Sequence, residues 1–176
     1  FLMRDIKVLS ERDFQSLQDF YWTLIDKMRG SAYLPGWEKG VYPSDTFLKE
    51  SLAAGEATAL YADGKIAAAM VLNHQYNDGY REIGWNVHAD PSEVLFVHAL
   101  GVMPDYQRRG LAKIMVQEAI RTAGLQKQAA VRLDVLNGNA PALRLYESCG
   151  FEYRGTVKMF YEDTGWTDYL LYELVL

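Results

Sequence analysis

Residues 94–102, VLFVHALGV, restrict the fold more than any other stretch, because nine consecutive positions carry no formal charge. An uncharged run of that length suits a strand buried on both faces, at the centre of a sheet. Pro104 and Asp105 end it, since proline has no amide proton for a ladder bond. From Leu111 the period becomes helical. Leu111, Ile114, Met115, Ala119 and Ile120 form an apolar stripe, while Lys113, Gln117 and Arg121 fall on the wet side. Gly124 stands where a terminating glycine belongs. The order is buried strand, short turn, helix.

The turn carries Arg108, Arg109 and Gly110. The first amide N–H groups of a helix lack intrahelical partners, and its macrodipole places about half a positive charge there. An anion docked at that end satisfies both, provided the backbone can approach it. Gly110 and Ala112 leave room, and the arginines add charge. A plain strand-to-helix turn with solvated arginines has the same residues, and the segment alone leaves both readings open. It is neither a Walker loop, which needs Gly-Lys-Ser/Thr, nor a dinucleotide fingerprint, whose second and third glycines are missing.

VMPDYQRRGLA resembles the acyl-CoA-binding signature of the GCN5-related N-acetyltransferases, Gln/Arg-x-x-Gly-x-Gly/Ala. Gln107, Gly110 and Ala112 stand at its three fixed positions. Downstream, LDVLNGNAPALRLYESCGF is similar to the family's next signature, with a strand, then Asn139, Tyr146 and Gly150-Phe151. The resemblance implies acetyl-CoA as acyl donor and a pantetheine arm lying where two parallel strands splay apart; no metal is expected, on the spacing of the three histidines. It implies coenzyme contacts at Leu100, Val102, Gln107, Arg108, Arg109, Gly110, Leu111, Ala112 and Asn139.

Composition narrows the classes further. Lys and Arg number 18 against 23 acidic residues, a net charge of −5, which argues against a nucleic-acid binder with a basic face. No apolar run reaches the length of a membrane span, and the N-terminus lacks a signal-peptide profile. Cys149 is the single cysteine, so no internal disulfide forms, and a cytoplasmic setting is the expectation. Cys149 reads as core filler before Gly150. His74, His88 and His98 fall at no zinc-ligand spacing.

Along the chain, residues 3–9 suit a first strand, and Ser10 with Asp13 suits a capping box. Phe14, Leu17, Tyr21, Leu24 and Met28 form a helical stripe that Gly30 stops. Residues 31–43 read as a loop with unusually many aromatics, and Ser44 caps a helix over 45–53. Asp63-Gly64 marks a hairpin between 57–62 and 65–73, and 80–87 is expected to extend that meander. Asn139 caps a helix with Pro141 in its first turn, and a closing hairpin turns at 162–165. A helix crossing between 94–102 and 131–135 makes those strands a parallel pair. The expectation is a single domain over 1–176, an α/β chain of α+β type. Its sheet is mixed but mostly antiparallel, of about seven strands flanked by helices.

Acetyl transfer from a thioester to an amine needs positioned reactants, a base for the amine and an acid for the thiolate. Tyr146 is the candidate acid, two turns after Asn139 on one helix face, with an ordinary pKa of about 10. Its structural alternative is a core tyrosine beside Leu143. His98 is the candidate base or water relay, with an ordinary pKa of about 6.5 that would place a limb near neutrality. The stretch HALGV resembles the arylalkylamine acetyltransferases, whose histidine here serves a proton relay. A histidine bonded to a backbone carbonyl is the structural alternative, and Glu82, Asp90 and Glu93 are weaker substitutes. The family topology brings residues 31–43 and the closing turn to the acceptor end. They supply Tyr33, Trp37, Tyr42, Tyr161 and Trp166, with Glu38, Glu162 and Asp163. Rings and carboxylates favour a cationic amine.

The expected activity is acetyl-CoA-dependent N-acetylation of a small-molecule amine in a ternary complex. The alternatives are a non-catalytic CoA-sensing or interaction module and an acetyltransferase of protein N-termini or lysines. No nucleic-acid or membrane partner is expected, and the family's common dimer edge, the closing hairpin, admits a homodimer.

Overall fold

The Asp63-Gly64 turn closes a hairpin between β2 (Ala57–Ala62) and β3 (Lys65–Asn73), and the rest of the sheet grows from it. The computed structural model describes residues 4–31 and 36–176, Arg4 by its backbone alone. The other strands are β1 (Arg4–Val8), β4 (Val94–Val102), β5 (Ala130–Leu136), β6 (Glu152–Tyr161) and β7 (Gly165–Val175). They pair in the order β1-β2-β3-β4-β5-β7-β6. β4 and β5 are parallel and all other pairings are antiparallel, as the helix crossing between them requires.

Alternation along the strands sets the layers. Ala69 and Val71 of β3 face α1 (Phe14–Met28) and α2 (Asp45–Ala53), burying Leu17, Tyr21, Leu24, Leu48 and Leu52. Ala68, Met70 and Leu72 face the other way, toward α3 (Leu111–Leu125), whose Leu111, Met115 and Ala119 complete that core. Helix α4 (Ala140–Ser148) adds Tyr146 to the same layer. Ser10 and Asp13 form the expected capping box, and Ser44 Oγ accepts from the Phe47 amide at 3.1 Å. Helix α3 runs one residue past Gly124, so that glycine does not end it.

The parallel pair is short. Val94, Leu95 and Phe96 oppose Ala130, Val131 and Arg132, and there the pairing of β4 with β5 stops. Beyond it β5 stays bonded to β7 as far as Leu136, while β4 runs on alone along β3. A bulge in β4 accompanies the parting: Ala69 opposes Gly101 but Val71 opposes His98, and Ala99 takes φ 52°. The Tyr21 hydroxyl donates to the Ala99 carbonyl at 2.7 Å and pins that bulge from α1.

Residues 80–87 do not extend the meander. Asn77 Oδ1 accepts from the Gly79 amide at 3.0 Å and starts a short helical turn over Asp78–Glu82. The segment then crosses the face of the sheet, packing Tyr80 against Phe96, Met159 and Leu171. Alternation in β5 puts Arg132 and Asp134 on this face, opposite Val131, Leu133 and Val135. Arg132 Nε donates to Glu173 Oε2 at 2.9 Å, its Nη2 donates to the Val87 carbonyl at 2.6 Å, and its guanidinium lies 4.4 Å from the Trp85 ring. Glu173 Oε1 accepts from the Asn86 amide at 2.8 Å, so this buried pair fastens the segment to the sheet.

Candidate active site

Two cavities meet where β4 and β5 part. The larger, about 560 Å³, is lined by Leu100, Gly101 and Val102 of β4, much of the turn after it from Pro104 to the start of α3, and Pro141, Ala142, Leu145 and Tyr146 of α4. The smaller, about 120 Å³, is lined by Trp37, Tyr42, His98, Asp134, Tyr161, Asp163 and Tyr169 among others. Trp37, Leu100, Asn139, Ala142 and Tyr146 belong to both linings.

The larger cavity ends at the start of α3. Gly110 caps that helix with φ 75°, a left-handed conformation that favours glycine, and no atom lies within 4 Å of where its Cβ would be. The first intrahelical bond runs from the Ile114 amide to the Gly110 carbonyl at 3.1 Å, leaving the preceding amides of the first turn for a ligand. Gln107, Arg108, Gly110, Leu111 and Ala112 line this end together with Lys113. Arg109 does not: its guanidinium sits 5.5 Å from the Tyr106 ring, outside the lining. Gln107 Nε2 donates to the Val102 carbonyl at 3.4 Å, tying the turn back to β4. Asn139 Oδ1 accepts from the Ala142 amide at 3.4 Å, so it caps α4 while lining both cavities.

Trp37 closes the seam between the cavities. A Cβ on Gly101 would lie 3.0 Å from its ring and 2.5 Å from Leu24, so β4 needs glycine there to seat the indole. Tyr21 packs edge-on against the same ring at 5.7 Å.

In the smaller cavity Asp134 is the centre. Its Oδ2 accepts from Tyr80 and Tyr161, each at 2.7 Å, while Oδ1 has no partner among the described residues. Burial raises its pKa above the ordinary carboxyl value, and the two phenol hydrogen bonds oppose that. Asp163 is pushed up to about 6, mainly by burial, with further contributions from Glu38 and Asp134. Tyr42 and Tyr161 are raised by burial and then by Asp134, so both stay neutral donors.

His98 Nε2 lies 2.7 Å from Asn73 Oδ1 and 3.0 Å from the Gln75 carbonyl. The same Asn73 oxygen accepts from the Gln75 amide at 2.9 Å, which fixes it as oxygen. Nε2 therefore carries the proton, and Nδ1 holds the lone pair. Burial drives the His98 pKa down to about 4, away from the near-neutral limb expected from its ordinary value. Tyr146 is 8% exposed, and its hydroxyl bonds to no described residue while the side chain lines both cavities. Burial and then Asp134 raise its phenol.

Of the residues expected at the acceptor end, Trp37, Tyr42 and Tyr161 line the smaller cavity; Tyr33 lies outside the described residues. Glu162 is exposed and outside the lining, and its neighbour Asp163 is the acid that turns inward. Trp166 is 70% exposed and packs on Phe160, away from this cavity. Sequence reasoning missed Asp134 and Tyr80. The signal for Asp134 was its charge, with that of Arg132, in a strand of otherwise apolar residues, VRLDVL, where a buried charge demands a partner or a purpose.

The 36% identity to the N-alpha-acetyltransferase RimI of Mycobacterium tuberculosis extends over 69 residues, 39% of this chain and 42% of that protein. The chain spans less than half the length of the curated relatives it matches. A GNAT-family acetyltransferase from Streptococcus agalactiae superposes with a TM-score of 0.77 at 19% identity, covering 100% of this chain and 98% of that one. An acetyltransferase from Salmonella typhimurium, solved with its cofactor acetyl-CoA, superposes with a TM-score of 0.70 at 16% identity, covering 99% and 94%. These likenesses establish a common fold. The model of the Acetyltransferase (GNAT) family matches residues 17–151, a span that takes in the splayed strands, the α3 turn and Tyr146, and the chain belongs to that family.

Proposed function

We propose that the chain is an acetyl-CoA-dependent N-acetyltransferase that moves the acetyl group directly to the amine of a small molecule within a ternary complex. The shared wall of Trp37, Leu100, Asn139, Ala142 and Tyr146 carries this reading. It brings a donor in the larger cavity and an acceptor in the smaller into contact at the strand gap.

The residues present fit acetyl-CoA. The larger cavity ends in free helix amides beside Arg108, suited to a pyrophosphate, and is otherwise lined by apolar side chains and strand backbone. Gln107, Arg108, Gly110, Leu111 and Ala112 would hold the phosphates, and Leu100, Val102 and Asn139 the arm. When bound, acetyl-CoA supplies the acetyl group as an activated thioester.

The amine nitrogen forms the new C–N bond as the thioester C–S bond breaks. Asp134 takes the amine proton, on the oxygen that has no partner among the described residues. Burial raises Asp134 and lowers His98, so the carboxylate moves toward the working range as the imidazole moves away from it. His98, with its tautomer fixed, orients a water through Nδ1. Tyr146 donates its O–H to the departing sulfur. Its raised pKa keeps the phenol protonated, so its contribution is a hydrogen bond to the growing thiolate.

Turnover of acetyl-CoA against a panel of amines, read as free thiol, tests the reading. Transfer to small primary amines supports it. Coenzyme binding with no transfer to any amine favours a CoA-sensing module. A second reading, acetylation of a protein N-terminus, draws on the name of the M. tuberculosis relative. Peptides with free N-termini belong in the same panel, and their turnover above every small amine decides for it.

A further inference from the structure

We infer that the acceptor is a dication: its reacting amine sits at Asp134, and a second cationic group sits at Asp163, in the turn between β6 and β7. This inference deepens the acetyl-transfer reading above and rests on it.

The smaller cavity is charged in one sense only. Asp134 and Asp163 both line it, and no lysine or arginine does. Residues 32–35, Ala-Tyr-Leu-Pro, bring none by sequence. Lys39 of the neighbouring loop is engaged elsewhere, 2.5 Å from Asp26. Two carboxylates in a space of about 120 Å³ without a protein counter-ion leave the ligand to supply the positive charge.

The two acids enter the cavity from different elements, Asp134 from β5 and Asp163 from the turn between β6 and β7. Between them the wall is aromatic: Tyr42 and Tyr161 lie 6.1 Å apart by ring centroid, and Tyr161 and Tyr169 5.0 Å apart. Such a wall suits the apolar chain joining two ammonium groups, and ring faces attract the groups themselves. Tyr146, more than nine-tenths buried and with its hydroxyl bonded to no described residue, is an independent sign that this space is built for a ligand.

The test uses 1,4-diaminobutane and 1,5-diaminopentane against n-pentylamine, with two readouts: stabilisation of the CoA-bound protein, and turnover of acetyl-CoA. The diamines are expected to stabilise the CoA complex more than n-pentylamine, and to show a kcat/KM about tenfold or more higher. Asp163→Asn should raise KM for the diamines about tenfold more than it raises KM for n-pentylamine. Asp163→Ser is a second variant should the turn tolerate one side chain better than the other. Equal stabilisation by diamine and monoamine, or equal loss for both in the Asp163 variants, overturns the second subsite. Failure of every amine to receive acetyl, with diamine binding intact, overturns the transfer reading instead.

Discussion

The Tyr21 hydroxyl, in the middle of α1, donates to the Ala99 carbonyl of β4 at 2.7 Å. Ala99 holds a left-handed φ of 52°, and the bulge around it turns His98 and Leu100 toward the two cavities. A single buried hydrogen bond thus connects the first helix to the aim of the central strand. Tyr21→Phe should cost about 1–2 kcal/mol, because the Ala99 carbonyl loses its partner. For a chain of this size that is roughly 2–8 °C of melting temperature. Scanning calorimetry checks it, and an unchanged melting temperature would show that the bulge holds without the tyrosine.

Acetyl-CoA at a hundred times its Kd should stabilise the fold by about 2.7 kcal/mol, roughly 5–10 °C at this size, and NAD should not. Gly110→Glu should abolish the shift, since it puts bulk and negative charge at the free amides of α3. Gly110→Asn, which tolerates a φ of 75°, separates backbone strain from lost binding and should retain most of the shift. Differential scanning fluorimetry reads all three.

Tyr146→Phe removes one oxygen and little packing. Coenzyme affinity should hold while kcat falls on the order of 10²-fold or more. Pre-steady-state kinetics establishes whether chemistry limits the rate. A loss under threefold with chemistry limiting would return Tyr146 to the core beside Phe151.

Asp134 and His98 give opposite signatures with pH. Burial raises the folded pKa of Asp134, so its contribution to stability is present at low pH and is lost as pH rises through that value. Asp134→Asn should therefore melt higher than wild type at pH 7, with the gap closing toward pH 4, while turnover collapses. Burial lowers His98 to about 4, so its contribution is present above about 6.5 and is lost as pH falls toward 4. His98→Gln should flatten the stability curve across that window. A kcat/KM limb between pH 6 and 8 should survive His98→Ala; its disappearance would restore the histidine as the base.

Trp37→Ala should raise the acceptor KM more than it lowers kcat, because the indole forms a wall of the smaller cavity, the proposed acceptor site, and carries no group for proton transfer. Steady-state kinetics at saturating acetyl-CoA resolves the two. A fall in kcat with KM unchanged would place the ring at the thioester rather than at the acceptor.

The sheet and its one parallel pair were legible because β4 announces itself by nine uncharged residues and the helix after it by its stripe. The turn between β4 and α3 was legible because the apolar run ends at Pro104 and the period becomes helical from Leu111. Residues 80–87 misled because Ile83, Trp85 and Val87 alternate like a strand, whereas the Asn77 turn upstream commits them to cross the sheet. Asp134 escaped notice because its meaning comes from Tyr80 and Tyr161, which lie 54 and 27 residues away. Glu162 and Asp163 were indistinguishable by composition, and only the geometry of the turn decides which faces inward. Tyr21 looked like core filler, since a bulge has no sequence signature at the helix that pins it.

The Arg132–Glu173 pair has a consequence for exchanging parts between proteins of this architecture. It clamps the 85–87 end of the crossing segment, while Tyr80 of the same segment grips Asp134, two residues from Arg132 on one face of β5. Segment and strand thus form a single transplantable unit. A chimera that imports residues 74–93 alone would strand a buried guanidinium and leave the pocket carboxylate short of a donor. One that carries Arg132, Asp134 and Glu173 along would keep every one of these bonds and so the shape of the pocket wall they hold.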